Sequence, residues 1–326
     1  MRSHPCPEHE PISRSPERHA SAKQDRSTKS PSIEHPDSIP AARPSELLRA
    51  VKLLEFDLEL LAWMRGQGGA HPPARLVGFD EAGRGALAGP VVVGCVSFRI
   101  PCGDSGSSTA AWPGIDRLAG LDDSKKLSPA RRELLYRRMT EPSATPLVVW
   151  SAGSATAAEI DTIGVVGATQ LAARRAWIKL QRQVASENAE GRPVTDLRLE
   201  YGLVFDRNLS LPGLTGQEYL GPASDTAGSL QLFALPDDAH GCDPARLDRY
   251  AELTAVWCTR GDNRSIHVAG ASVIAKVTRD RIMRRLSDAY PGYGWAKNMG
   301  YGTKKHRDAL QSLGASPQHR LCFRGT

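Results

Sequence analysis

Val77-Gly78-Phe79-Asp80-Glu81-Ala82-Gly83-Arg84-Gly85-Ala86-Leu87-Ala88-Gly89-Pro90 sets two adjacent carboxylates where an apolar strand meets a glycine-rich turn. Neighbouring strand residues point to opposite faces, so Asp80 and Glu81 converge on one point only if the chain bends beside them. Gly83 and Gly85 permit such a bend, because glycine tolerates backbone angles that other residues avoid. A converging carboxylate pair suits a hard divalent cation. The glycine spacing loosely suggests a dinucleotide-binding turn, but that motif requires a helix to follow. Here Pro90 leads into Val91-Val92-Val93-Gly94-Cys95-Val96-Ser97-Phe98, a β-branched run that predicts a second strand. A strand–turn–strand unit follows. A tight hairpin with solvent-exposed acids stays open on this pattern alone.

Outside this stretch, charge is the next informative property. The chain of 326 residues carries a formal net charge of +6. From Cys258 to Thr326 there are 13 Lys and Arg against 4 Asp and Glu, so all the excess positive charge lies in the C-terminal fifth. A localised basic region is the footprint of a phosphate backbone, though it equally fits a solvated basic surface. The six cysteines form no C-x-x-C pair, which argues against a zinc ribbon and a disulfide framework. No apolar run approaches a membrane span and no signal-peptide core is visible, so the expected compartment is the cytoplasm.

Residues 1–45 hold eight prolines, nine serines and no aromatic residue other than histidine, and are predicted to be a disordered tail. Leu47, Leu48, Val51, Leu54, Leu58 and Leu61 recur at helical spacing, predicting an N-terminal helix over 46–68. The main domain is expected over 72–326. Its predicted strands cover 75–80, 90–100, 147–150, 197–205 and 252–258. Helices are expected from Ser128, over 157–186 with a break near Gly164 and Gly167, over 269–286 and over 303–313. On the 269–286 helix, Lys276 and Arg279 are placed on the outer face. Strands followed by alternating helices imply an α/β fold with a mixed sheet.

Four acids stand at element ends: Asp80, Glu81, Asp206 after Leu203-Val204-Phe205, and Asp262 in Arg260-Gly261-Asp262-Asn263-Arg264. Strand ends of an α/β sheet gather at one edge, where sites form. Four oxygen donors without a His or Cys cluster suit Mg²⁺ or Mn²⁺ rather than zinc. Two such ions about 4 Å apart clamp a phosphodiester, one activating water and one stabilising the leaving oxygen. Taken singly, an Asp at such a position is more often a turn or cap residue.

Together with Gly120-Leu121-Asp122-Asp123-Ser124-Lys125-Lys126-Leu127-Ser128, Glu159-Ile160-Asp161, Ala269-Gly270-Ala271-Ser272-Val273-Ile274-Ala275-Lys276-Val277-Thr278-Arg279-Asp280-Arg281, Tyr290-Pro291-Gly292-Tyr293-Gly294, Gly300-Tyr301-Gly302-Thr303 and His319-Arg320-Leu321-Cys322-Phe323, the opening stretch resembles type-2 ribonuclease H, the bacterial ribonuclease HII, in motif order through nearly the whole domain. The resemblance implies a ribonuclease H-like mixed β-sheet flanked by helices, with a helical C-terminal part against the duplex. It implies Asp80, Glu81, Asp206 and Asp262 as ligands of a two-ion Mg²⁺ or Mn²⁺ site. It further implies that Gly83, Arg84 and Gly85 recognise a ribonucleotide 2′-hydroxyl, that Ser124, Lys125 and Lys126 hold phosphates, and that Tyr301 stacks on the sugar beyond the ribonucleotide. The implied partners are RNA–DNA hybrid and ribonucleotide-containing duplex DNA, and the implied enzyme is monomeric.

The residues themselves leave plainer readings open. Asp122-Asp123-Ser124 also fits a helix-entry turn, and Tyr301 a core aromatic. The chain departs from the family at Arg207, where glycine is usual, at Lys297-Asn298-Met299, and in the long Asp206–Asp262 separation, which predicts an inserted loop over 209–250. The rival readings are a ribonuclease HIII-like enzyme acting on RNA tracts and a hybrid-binding protein without catalysis.

Overall fold

The computed structural model describes residues 42–67, 73–100, 112, 114–141, 148–187, 201–206, 209, 211, 216–218, 229–230 and 255–323. The expected tail and the expected 209–250 insertion lie almost wholly outside the described residues, as does Arg207. The strands are β1 (Arg75–Ala82), β2 (Val91–Phe98), β3 (Val148–Ala155), β4 (Tyr201–Asp206), β5 (Gly216–Glu218), β6 (Ser229–Leu230) and β7 (Ala255–Cys258). The helices are α1 (Pro44–Gly66), α2 (Pro129–Thr140), α3 (Ala157–Glu187), α4 (Ile266–Ala289), α5 (Trp295–Asn298) and α6 (Lys304–Leu313). Ser128 caps α2 by accepting from the Arg131 N–H, as its position predicts. Of the two glycines expected to break α3, only Gly164 leaves helical geometry (φ 72°, ψ 162°). Among the described residues no helix is long and apolar enough to cross a membrane.

One mixed sheet has the strand order β3-β2-β1-β4-β7-β5-β6. β1 pairs antiparallel with β2 and parallel with β4, and β4 pairs parallel with β7. The two carboxylates lie within β1 rather than beyond it: Asp80 is opposite Gly94 and Glu81 opposite Val93. The sheet therefore runs two residues further than the sequence predicts before the chain bends.

Strand alternation splits the core. Val77, Phe79, Phe205 and Trp257 face α3, where the Phe79 ring stacks on Phe205 at 4.7 Å and Phe205 on Trp257 at 5.8 Å. This aromatic row ties β1, β4 and β7 together at the residues just before Asp80 and Asp206. The opposite face carries α4 and α1. Gly78 lets α4 approach: a Cβ there would lie 2.3 Å from the His267 carbonyl carbon. With Gly78 two residues before Asp80, the same close approach sets the distance between α4 and the acids.

Gly78→Ala should therefore destabilise the protein by about 1–3 kcal/mol through overpacking, seen as a lower denaturant midpoint at unchanged slope. A midpoint equal to that of the parent would show that α4 does not rest on this contact.

Candidate active site

The four predicted acids come together at one edge of the sheet, from β1, the end of β4 and the turn after β7. That turn is a short 3₁₀ segment, Gly261–Asn263, entered through Arg260 in the left-handed region (φ 56°). It folds back on β4, so that the Gly261 N–H donates to Asp206 Oδ1 at 2.7 Å. Each of three carboxylates has a donor of its own: Asp80 Oδ1 accepts from the Glu81 N–H at 2.8 Å, Asp206 from Gly261, and Asp262 Oδ1 from Asn263 Nδ2 at 3.0 Å. Asp80 is also hydrogen-bonded by Ser272 of α4.

The cluster repels itself. Burial, then the charges of Glu81, Asp206 and Asp262, raise the Asp80 carboxyl well above the usual range. Burial also raises Glu81; the nearby Arg84 guanidinium, 3.8 Å away, opposes this and Asp206 reinforces it. Burial, followed by Asp123 and Asp206, pushes Asp262 up to about 6. Glu81 Oε2 is buried with no hydrogen-bond partner. Among the described residues no three His, Cys, Asp or Glu side chains already stand as an ion-binding group. An all-oxygen donor set, an unpartnered buried carboxylate oxygen and mutually raised acids nonetheless fit a hard divalent cation, which would supply the charge they lack.

The other predicted residues divide. Lys125 is exposed; burial opposes its charge, but Asp80, Asp123, Asp262 and Asp206 together raise its pKa. Lys126 is also exposed, yet its ammonium already contacts Asn263 Oδ1 and lies 3.5 Å from Asp122. Ser124 does not face solvent as a phosphate ligand would. It is 5% exposed, and its hydroxyl is 2.6 Å from that of Ser272, beneath Asp80. Tyr301 is no core aromatic, for it is 38% exposed, with its ring 5.3 Å from the Arg279 guanidinium and 5.9 Å from the Lys276 ammonium. Gly85 is exposed with open space where a Cβ would be, whereas Gly83 (φ 88°) is buried and a Cβ there would lie 1.8 Å from Arg279 Nε. Gly83 thus serves the packing beneath the turn.

The outer-face placement of Arg279 and Lys276 is overturned. Arg279 is fully buried and donates to the carbonyls of Pro90 (2.9 Å), Met299 (2.9 Å) and Ala88 (3.2 Å). Lys276 is largely buried too, paired with Asp280 at 2.7 Å. Arg320, also fully buried, donates to Gly89 O at 3.0 Å and Arg84 O at 2.9 Å. Two buried guanidiniums thus hold the turn after β1. Leu87 N–H adds a bond to Gly300 O at 2.9 Å, which joins that turn to the Tyr301 segment. Helical periodicity hides the role of Arg279, because a guanidinium bonded to carbonyls has no recognisable sequence partner. Ser272 had a faint signal: it is the one hydroxyl within Ala269-Gly270-Ala271-Ser272-Val273-Ile274-Ala275. Glu159, by contrast, is structural: it caps α3 through the Thr156 N–H at 2.8 Å, and Arg175 above all holds its pKa near 2.

The family model described as Ribonuclease HII matches residues 77–188 and 243–326. The chain belongs to the ribonuclease HII family. Among curated relatives, ribonuclease HII of Rhodospirillum rubrum is 38% identical over 249 residues, covering 76% of this chain and 84% of the relative. That of Rickettsia bellii is 34% identical over 256 residues, covering 78% and 91%. Among solved structures, ribonuclease HII from the PCNA complex of Archaeoglobus fulgidus aligns with TM-score 0.43 and 23% identity, covering 77% of this chain and 95% of that one. Bst-RNase HIII in complex with Mn²⁺ aligns with TM-score 0.43 and 18% identity, covering 81% and 71%. Membership makes the protein a ribonuclease H hydrolase, and its mixed sheet flanked by helices is the ribonuclease H-like fold.

The acid cluster carries a stability consequence. The folded Asp262 carboxyl titrates near 6, above its unfolded value, so folding favours the protonated form. Its destabilising effect is complete above pH 6 and vanishes below about pH 4. Asp262→Asn should therefore stabilise the chelator-treated protein at pH 8 by up to about 3 kcal/mol, with the gain gone at pH 4. An equal gain at both values in denaturant melts would contradict the assignment.

Proposed function

We propose that the protein is a metal-dependent endonuclease that hydrolyses the RNA strand of RNA–DNA hybrids and cuts 5′ of single ribonucleotides embedded in duplex DNA, leaving 3′-hydroxyl and 5′-phosphate ends. The observation that carries this reading is the juxtaposition of four mutually repelling carboxylates with the Gly83-Arg84-Gly85 turn, which Arg320 holds and which Arg279 and the Leu87–Gly300 bond tie to the Tyr301 segment. Asp80, Glu81, Asp206 and Asp262 would hold Mg²⁺ or Mn²⁺ as a two-ion site, whose chemistry is to activate water and stabilise the leaving oxygen. The exposed backbone at Gly85 leaves room for a ribose 2′-hydroxyl, the group that separates RNA from DNA at a site. Tyr301 offers an open ring for stacking on the neighbouring sugar. Lys125 holds a phosphate, which places the duplex without reading its sequence.

In the same reading residues 72–326 form the catalytic domain, with an insertion over 209–250. The enzyme is a cytoplasmic monomer serving ribonucleotide removal from DNA. The intact Gly83-Arg84-Gly85 turn and Tyr301 favour this over a ribonuclease HIII-like preference for RNA tracts.

Tyr301→Ala should slow cleavage at a lone ribonucleotide by roughly one to two orders of magnitude, taking the about 1–3 kcal/mol of a nucleotide base stacked on an aromatic ring as the scale. A continuous RNA tract offers other registers and should lose less. Equal losses on both substrates would make Tyr301 structural. Asp206→Asn should abolish cleavage of both with the fold retained; wild-type cutting would remove Asp206 from the ligand set.

The two lysines separate in a salt titration of hybrid binding. Lys125→Ala should reduce the slope of log affinity against log salt by about one. Lys126→Ala should change it less, because that ammonium is held by Asn263 and Asp122. A larger change for Lys126 would reverse the two roles.

A further inference from the structure

Helix α1 lies outside the residues matched by the family model, yet it touches the turn that carries Asp262 at consecutive points. Arg49 Nη2 donates to the Asn263 carbonyl at 2.8 Å and to Asp122 Oδ1 at 3.0 Å. About two turns further along α1, the Phe56 ring lies 4.5 Å from the Arg264 guanidinium. Beside it, Asp57 Oδ2 accepts from Ser265 Oγ at 3.0 Å and from the His267 N–H at 3.2 Å, and lies 2.6 Å from His267 Nδ1. Asp57 and His267 are each at most 1% exposed. Residues 49, 56 and 57 share a helix face, so one stripe of α1 reads Asn263, Arg264, Ser265 and His267 in order.

These contacts reach the carboxylate itself. Asn263 Nδ2 donates to Asp262 Oδ1, while Asn263 Oδ1 faces the Lys126 ammonium. The amide is thus fixed with its donor toward the acid. Asp122, shared by Arg49 and Lys126, closes the frame. At the other end Ser265 caps α4 by accepting from the Val268 N–H at 3.2 Å, and Asp57 holds that capping hydroxyl while placing a negative charge at the helix N-terminus. A cap alone needs only Ser265. The bonds to Asn263 do nothing for the helix and act on the neighbour of an acid.

We infer that α1 is a positioning element of the metal site: Arg49 through Asn263, and Asp57 through Ser265 and His267, fix the turn that aims Asp262. The inference rests on the ion site proposed above. Arg49, Asn263 and Asp57 act on Asp262 through other groups of the chain and are positioning residues. Groups that orient a ligand from behind commonly change metal affinity by about 10–100-fold when removed.

The test is Mn²⁺ titration of the full chain without nucleic acid, followed by calorimetry and by loss of the free-ion electron paramagnetic resonance signal. Arg49→Met and Asn263→Ala should each weaken Mn²⁺ binding about tenfold. Since both act through one turn, the double variant should lose less than the two losses combined. Asn263→Ala, at a half-buried position, should leave the metal-free melting temperature close to that of the parent, and Arg49→Lys, which keeps the charge, replaces Arg49→Met if the latter folds poorly. An Mn²⁺ affinity within twofold of the parent in Arg49→Met would overturn the inference whatever Asn263→Ala gives, as would a lowered melting temperature with unchanged affinity, which a merely structural α1 would give. A parent chain that binds no Mn²⁺ would overturn the ion site itself and this inference with it.

Discussion

Mutual repulsion among four carboxylates at one sheet edge is the constraint that the surrounding structure answers. Asp80 is 6% and Asp262 5% exposed, and like charges this close raise one another's pKa instead of separating. The fold holds three of them with rigid donors: a strand amide and the Ser272 hydroxyl at Asp80, the Gly261 amide at Asp206 and the Asn263 side chain at Asp262. It also anchors each donor on an element with a large core contact. The Phe79–Phe205–Trp257 row fixes the strands, and the close seat of α4 at Gly78 fixes Ser272. A cluster that destabilises the empty protein and gains from a cation is the arrangement expected of a functional site.

A second frame supports the substrate side. Arg279 and Arg320 are buried, and their guanidinium donors satisfy carbonyls of residues 84–90 and 299. Burial, then the neighbouring Arg279, lowers Arg320 to about 9. Two guanidiniums kept in such an environment restrain a glycine-rich turn that would otherwise have little to hold it. Nearby, Trp295 Nε1 donates to His306 Nε2 at 2.9 Å, and His306 Nδ1 lies 3.0 Å from the Tyr301 carbonyl, so the tyrosine's backbone is set from the opposite side.

Much of this was legible in the sequence. The strand–turn–strand opening follows from β-branched residues after Pro90, and Asp206 and Asp262 stand out because each closes or follows a short apolar strand. What sequence pattern missed shares a physical cause. Arg279, Ser272 and Asn263 act through carbonyls, a shared hydroxyl and a neighbouring carboxylate, and such partners leave no spacing to read. Arg279 on an amphipathic pattern looks like a solvated surface residue. The family resemblance implies a phosphate ligand at Ser124, but its hydroxyl turns inward to Ser272. The leucines of α1 announced a packed helix, whereas Arg49 and Asp57 on the same helix find their partners some two hundred residues away, where local pattern is silent.

The central claim is that this acid cluster and the adjoining turn together cut at a ribonucleotide. It is tested most directly by a DNA duplex carrying one ribonucleotide, labelled at the 5′ end of that strand, incubated with the full chain with and without Mg²⁺ or Mn²⁺. The account predicts one metal-dependent product ending in a 3′-hydroxyl at the nucleotide before the ribonucleotide, and no cutting of the all-DNA duplex. Binding to the duplex with no metal-dependent product, or cutting on the 3′ side of the ribonucleotide, would contradict it.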